Sequence, residues 1–346
     1  MKKISFSVVL LILVINLSAQ TSKKQYKVIK KINVAGDGGW DFLTVDEPNQ
    51  HLFLSHGNVV DVVDLKIDKT IATILDTKGV HGITIANDLN KGFISNGKDT
   101  SITVFDLKTF TILEKVKIKG ISPDAILYDK FSGRVFSFNA KSNDVTVLDA
   151  KTNQIIGTIK FEGNPEVAVT DDNGTIYVNI EDKSTIVVID AMALKIKNVW
   201  SLAPGEEPTG LAIDNKTHRL FSGCANKMMV IMNSENGKVL ANLPIGEGCD
   251  GVAFDPEKKC AYSTNGEGTM TIVKEENPNT FKILETISTQ KGARTIGLNT
   301  TTHQIYTPTA EYEARPEPTK ENPKPRSKIK LNSFVVLVIE NEKSTN

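Results

Sequence analysis

The stretch DFLTVDEPNQHLFLSHGNVVDVVDLKIDKTIATIL, residues 41–75, contains four short segments rich in β-branched residues. Phe42–Val45, His51–Ser55, Val59–Val63 and Thr70–Leu75 alternate or cluster apolar residues in the way that strands do. The residues between the first two segments, Asp-Glu-Pro-Asn, form a typical turn sequence. We interpret the stretch as one unit of four antiparallel strands.

The same layout recurs seven times along the chain. Each repeat opens at a marker residue, successive markers are 40 to 44 residues apart, and an aromatic residue follows 11 or 12 positions later. The markers are Asp41, His81, Asp124, Glu166, Thr209, Asp250 and Arg294, and the aromatic residues are Phe53, Phe93, Phe136, Tyr177, Phe221, Tyr262 and Tyr306. This period with several strands per unit is typical of propeller blades. We therefore predict an all-β fold, a seven-bladed β-propeller of four-stranded blades, with the aromatic rings in its core.

The two ends of the chain complement each other. Blade seven has no outer strand after Phe334–Glu340, whereas Tyr26–Val34 resembles an outer strand that has no blade. Pairing of these two segments would close the ring and cover an exposed sheet edge. We predict one domain, residues 26–340, closed by the N-terminal strand.

An insertion interrupts blade seven between its second and third strands, at residues 311–333. It carries four prolines among mixed charges, a composition that buries too little apolar surface to order itself. Two interpretations stay open, a lid or docking segment over the ring and a loop without a function of its own.

Five third strands end in a short polar residue: Asp64, Asp106, Asp149, Asp190 and Asn233. Such side chains accept hydrogen bonds from the backbone two residues further on and so stabilise turns. We predict that these residues are structural and take no part in chemistry.

Residues 1–19 have the pattern of a secretory signal peptide. Lys2 and Lys3 precede an apolar run, Val8–Ile15, and Leu17-Ser18-Ala19 resembles a cleavage site. The run is shorter than the roughly 20 residues that a spanning helix needs. We expect cleavage near Ala19, no membrane span, and a periplasmic or secreted protein.

The charge balance of the chain narrows the classes of partner. Without the two lysines of residues 1–19, 39 basic residues stand against 41 acidic ones, a balance that argues against nucleic acid as a partner.

Of the three cysteines, Cys224 and Cys249 are the more plausible disulfide pair, and three buried thiols are the alternative.

Short segments of the repeats resemble a known family. YVNI at 177–180, FISN at 93–96, YSTN at 262–265 and TIVVID at 185–190 are similar to YVTN-type repeats. Residues 26–340 as a whole resemble the YncE-like seven-bladed propeller proteins. The resemblance implies the propeller fold and a periplasmic or secreted location. The family includes binding and surface proteins, and single-stranded DNA binding is a function it implies only distantly here.

Chemistry is expected at one end of the ring. The loops that enter the inner strands and those that join the second and third strands lie at the same end, so the markers should surround an axial funnel. The marker varies among acid, histidine, threonine and arginine, whereas other repeat positions are nearly constant. Clustered titratable groups in a concavity are candidates for a functional site. The predicted ligand-binding residues are Trp40, Asp41, His56, Asn96, Asp124, Asn139, Asp250, Asn265 and Arg294.

Several chemistries fit this residue set. Asp41, His81 and Asp124 offer oxygen and imidazole ligands to a divalent metal, the one cofactor hypothesis. Alternatively, Arg294 would bind a carboxylate or phosphate, with His81 as general acid or base. Trp40 would stack on a ring of the ligand. A solvated polar rim without a specific ligand is the remaining alternative.

We predict an exported binding or scaffold protein, a monomer, that takes a small anionic molecule or a protein loop at the funnel. The alternative is a metal-assisted lyase or hydrolase acting on a sugar acid or lactone, with His81 and Glu166 as catalytic residues. Whether the protein is an enzyme stays open at this point, because the sequence lacks a nucleophile elbow, a phosphate-binding loop and a zinc-protease motif.

Overall fold

A computed structural model of the protein describes residues 26–36, 38–320, 323, 325 and 327–342. The predicted signal peptide, residues 1–19, lies outside these residues. The described chain forms seven antiparallel sheets of four strands each, arranged in a ring, which confirms the seven-bladed propeller. Each sheet follows the order inner, second, third, outer along the chain, apart from blade seven.

The strand bounds follow the repeat, and two 3-10 turns occur at Asn87–Leu89 and Glu181–Lys183. Blade one comprises Trp40–Asp46, His51–His56, Val59–Asp64 and Lys69–Ile74; blade two comprises Val80–Ala86, Lys91–Asn96, Ser101–Asp106 and Ile112–Lys117. Blade three comprises Pro123–Asp129, Arg134–Asn139, Asp144–Asp149 and Ile155–Lys160; blade four comprises Pro165–Thr170, Thr175–Ile180, Thr185–Asp190 and Lys195–Ser201. Blade five comprises Pro208–Asp214, Arg219–Cys224, Met228–Asn233 and Val239–Pro244; blade six comprises Cys249–Asp255, Cys260–Asn265, Thr269–Asn277 and Thr280–Ser288. Blade seven comprises Gly297–Asn299, Gln304–Thr309, Val335–Asn341 and the N-terminal Tyr26–Asn33.

The N-terminal strand closes the ring as predicted. Tyr26–Asn33 pairs antiparallel with Val335–Asn341, so blade seven is built from both ends of the chain. Separate side-chain contacts join blade seven to blade one, where Glu47 accepts hydrogen bonds from Thr300 and Thr301. The closing strand therefore covers the sheet edge that blade seven would otherwise expose.

The core lies between neighbouring blades. The second and third strands are buried almost throughout, whereas outer strands expose most of their residues. All seven repeat aromatics are at most 5% exposed, which confirms their predicted place in the core. Phe53, for example, packs with Phe105 of the next blade at a ring separation of 5.4 Å. Each blade therefore depends on its neighbours for the burial of its apolar faces.

The polar ends of the third strands are structural, as predicted. Asp149 Oδ1 accepts hydrogen bonds from the backbone N–H and the hydroxyl of Thr152. Asn233 Oδ1 accepts two backbone hydrogen bonds in the same way. The side-chain oxygens of these residues are therefore hydrogen-bonded within the turns, which accounts for polar residues that could be mistaken for catalytic ones.

The segment between the second and third strands of blade seven begins with a short paired stem. Tyr312 bridges to Ile329, and Lys330 forms an ion pair with Glu311.

All three cysteines are buried free thiols, so the structure agrees with the second of the two cysteine interpretations. None of the helical segments in the described part of the chain has the length and apolar character needed to cross a membrane.

Candidate functional site

The seven markers form one feature of the structure, here called the marker ring, at the start of the inner strands. It consists of Asp41, His81, Asp124, Glu166, Thr209, Asp250 and Arg294, all of them half-buried. In blades one to six the register between inner and second strand shifts at the marker, and Arg294 precedes its short inner strand. Such bulges re-aim side chains next to binding sites. The local backbone thus removes these residues from regular strand pairing.

Hydroxyl and amide side chains fix the backbone of the marker ring across blade boundaries. Ser95 of blade two donates to the carbonyl oxygen of Asp124 in blade three. Thr264 Oγ1 donates to the carbonyl oxygen of Arg294 at 2.7 Å, and Asn179 Nδ2 donates to that of Thr209 at 3.1 Å. Because each bond joins two blades, the marker ring is positioned by the closed propeller and not by any single repeat.

Asp41, His81 and Asp124 come together as the sequence predicts. His81 Nδ1 lies 2.6 Å from Asp41 Oδ2 and 3.6 Å from Asp124 Oδ1. Burial favours the neutral imidazole, but the bond to Asp41 and the charges of Asp124 and Asp41 outweigh it and raise the pKa of His81. A Cβ at Gly97 would lie 2.8 Å from His81 Nε2, so a glycine there leaves room for the ring.

These three residues suit a divalent metal. One ligand atom from each lies within 4.8 Å of the other two. Two carboxylates and an imidazole are ligands for zinc or manganese more than for soft metals. The residue set therefore fits the metal that the sequence predicts, with His81 held between its two carboxylate neighbours.

Arg294 is engaged by acids of the ring itself. Its Nε donates to Asp250 Oδ2 at 2.7 Å, and its terminal nitrogen lies 3.6 Å from Asp41 Oδ1. A second bond goes to the carbonyl oxygen of Trp40 at 3.1 Å. Two of the five N–H donors of the guanidinium are therefore hydrogen-bonded within the ring, and an anionic ligand at Nε would compete with Asp250.

Burial raises the pKa values of three acids of the ring, Asp124, Glu166 and Asp250. Burial raises the pKa of Glu166 to about 9, with further repulsion from Asp124 and Glu181. Burial also raises the pKa of Asp124, to about 7, against the opposing charge of His81. Burial raises the pKa of Asp250 as well, despite Arg294. The ring thus holds four acid groups beside two basic side chains, and the raised pKa of Glu166 favours its protonated form at neutral pH.

An apolar level lies below the marker ring. Phe42, directly after Asp41, packs against the core of blades three and four. Together with Ala125, Leu127 and Phe138 it lines a cavity of about 90 Å³. The polar ring therefore rests on an apolar floor, which the sequence reasoning missed because Phe42 looks like an ordinary strand residue.

Four predicted ligand-binding residues lie deeper than expected. His56, Asn96, Asn139 and Asn265 are at most 2% exposed. His56 Nδ1 bonds to Asp61 at 2.9 Å, and the three amides donate to the third strands of their own blades. These contacts join strands two and three within a blade. The structure places these four residues at the predicted end of the propeller, but their side chains are buried.

Trp40 is also buried, at 6% exposure. Its ring stacks on Phe334 at 5.5 Å and lies 6.2 Å from Tyr312, at the stem of the blade-seven insertion. The guanidinium carbon of Arg294 is 6.0 Å from the same ring. Trp40 thus supports Arg294 and the insertion, and its faces are occupied by the protein.

Comparisons with known proteins find the fold and no closer relationship. No family model and no curated protein matches the chain. A chain from the crystal structure of the mitotic checkpoint complex has a TM-score of 0.72 and 12% identity, covering 88% of this chain and 96% of that one. The structure of U3-55K gives a TM-score of 0.74 and 10% identity, covering 89% and 97%. At these identities the likeness shows the propeller fold alone, and no match confirms the resemblance to YncE-like proteins.

Proposed function

We propose that this protein is a binding propeller that receives a basic side chain of a partner loop in the marker ring. The carrying observation is the excess of half-buried acid groups there, Asp41, Asp124, Glu166 and Asp250 beside Arg294 and His81. Burial first, and repulsion from neighbouring acids second, raise the pKa values of Asp124 and Glu166, and the charge of an entering lysine or arginine would favour their ionised forms. A binding or scaffold role also fits a fold with WD40-like neighbours.

Protein loops and small anionic molecules were both predicted as ligands, and the charges of the ring favour the first. An anion would approach Asp41, Asp124 and Asp250 and would compete with Asp250 for Nε of Arg294. A basic side chain would compete with Arg294 and His81 for these three acids, but Glu166 has no cationic partner among the described residues. Export, based on the signal-like sequence of residues 1–19, and a monomeric state belong to the same proposal.

The test is to pan a library of constrained random loops on the mature protein at about pH 7. We expect enrichment of loops with lysine or arginine. A synthetic loop from the enriched set should bind Asp124→Asn about tenfold more weakly, the loss of one charge-assisted hydrogen bond. Asp88→Asn, at the opposite end of the blades, is the matched control and should bind like the wild type.

The variant Arg294→Ala distinguishes a basic loop from an anionic ligand, because it should change their affinities in opposite directions. Removing this cation makes the ring more negative, so a basic loop should bind as well as before or better. Enrichment of acidic loops that lose affinity in Arg294→Ala would refute the proposal and support a small anionic ligand instead.

A metal-assisted lyase or hydrolase is the second candidate, favoured by the Asp41–His81–Asp124 group beside a protonated Glu166. A bound divalent ion would supply Lewis-acid polarisation of a carbonyl, such as that of a lactone or sugar acid. Glu166 would donate a proton to the leaving group. Metal analysis of the purified protein tests this candidate: about one ion per chain, lost in His81→Ala, supports it, and absence of metal from the wild type removes it.

A further inference from the structure

A groove of about 340 Å³ lies between blades four and five, away from the marker ring. Tyr177 and Trp200 contribute aromatic rings to it. Most of its polar lining comes from outer-strand residues and from turns at the end of the blades opposite to the ring: Asp171, Asn198, Asn215, His218, Ser234 and Glu235. The groove therefore has one aromatic wall and a polar border, and neither belongs to the site described above.

A glycine, Gly237, lies at the junction of the two blades that border the groove. In blades one to five the turn after the third strand has one residue with positive φ: Asp68, Phe110, Asn153, Leu194 and Gly237. In the first four blades its side chain reaches the preceding blade; Phe110, for example, packs on His51 at 5.4 Å. Gly237 has no side chain to place there, so the junction of blades four and five is not filled from this turn.

Trp200 occupies a position that other blades give to an aliphatic residue. In blades one to six, the second residue of the third strand pairs with one residue of the outer strand. In blade four this outer-strand residue is Trp200. In blades one, two, three, five and six it is Ile74, Val116, Ile159, Leu243 and Ile287, respectively. A Cβ at Gly237 would lie 2.4 Å from the indole of Trp200, so the tryptophan requires the glycine. Trp200 also stacks on Tyr177 at 6.1 Å. The repeat itself needs neither residue.

The border of the groove holds polar side chains that the fold does not use. In the part of the chain that the structure describes, the side chains of Lys197, Asn198, His218 and Glu235 make no hydrogen bond. The set combines donors and acceptors with nearly balanced charge. Aromatic faces beside such groups suit a neutral ligand with apolar C–H faces and many hydroxyls.

We propose that the groove between blades four and five is a carbohydrate-binding site. A sugar ring would pack its C–H face on the indole of Trp200, which Tyr177 supports from within the core, and its hydroxyls would bond to Asn198, His218 and Glu235. Pockets for small molecules begin at about 300 Å³, so the groove has room for one or two sugar residues. This site is independent of the proposed function of the marker ring.

The test starts with an array of defined oligosaccharides probed with the mature wild-type protein. The strongest binder is then titrated calorimetrically against the wild type, Trp200→Ala and Asn198→Ala. We expect saturable binding and a loss of about tenfold or more in each variant, the equivalent of one aromatic contact or hydrogen bond. Asn242→Ala, an exposed outer-strand asparagine of blade five outside the groove, is the control and should bind normally.

Asn198 is exposed, so its replacement keeps the test valid even if Trp200→Ala loosens the junction. Melting temperatures of all variants establish that each is folded. Absence of saturable binding to every oligosaccharide on the array would overturn the proposal. So would a sugar that Trp200→Ala and Asn198→Ala bind as well as the wild type.

Discussion

Glu166→Gln is expected to stabilise the protein at about pH 8 and to change its stability little at about pH 5. Burial raises the pKa of Glu166 from 4.5 to about 9. Between these values the folded state binds more protons than the unfolded state, so the free energy of unfolding falls as pH rises. Glutamine has the shape of the protonated acid and does not ionise, so the variant escapes this loss.

The size of the effect follows from the pKa shift. Each unit between 4.5 and the working pH contributes about 1.36 kcal/mol, which gives an upper bound of about 5 kcal/mol at pH 8. Partial exposure of the side chain and relaxation around the carboxylate reduce it, and we expect about 2 kcal/mol. Below about pH 4.5 the carboxyl is protonated in both states, and the difference vanishes.

Urea unfolding of wild type and variant at both pH values measures this difference, provided that the slope with urea is unchanged. Glu162→Gln, on an exposed glutamate of the preceding loop, is the matched control and should show no pH-dependent gain. An equal shift of the midpoint at both pH values would refute the reasoning, and so would a variant less stable than the wild type at the higher pH.

Three further predictions concern the fold. Ile32→Ala, in the buried face of the closing strand, should cost about 2–5 kcal/mol in urea unfolding, whereas Ile29→Ala on the exposed face should cost far less; equal costs would contradict closure by this strand. Asp149→Ala should lower stability by about 1 kcal/mol in thermal melts because the turn loses two hydrogen bonds, and a neutral outcome would show that the turn does not need them. Thiol titration should detect no reactive cysteine in the native protein, since all three are buried and burial raises the pKa of Cys224 to about 11, and three in urea. Fewer than three in urea would indicate a disulfide.

Sequence reasoning located the strands of blade one to within two residues, because turns and alternation are local properties. It also placed the markers and the asparagines at the same end of the propeller, since strand direction alternates along each blade. It failed in depth. Asn96 and Asn139 bond inside their own sheets, and counting residues along a strand does not tell how far a side chain lies from the axis.

The repeat period, the number of blades and the closing strand were determined by the sequence alone, because each rests on patterns within about 40 residues or at the two ends of the chain. Only the tertiary structure decided that His81 joins Asp41 and Asp124 while Arg294 joins Asp250. It also decided that Gly237 leaves room for the indole of Trp200. The physical reason is common to both. These contacts cross blade boundaries, where the separation along the chain carries no information about the direction of a side chain or the space left by its neighbour.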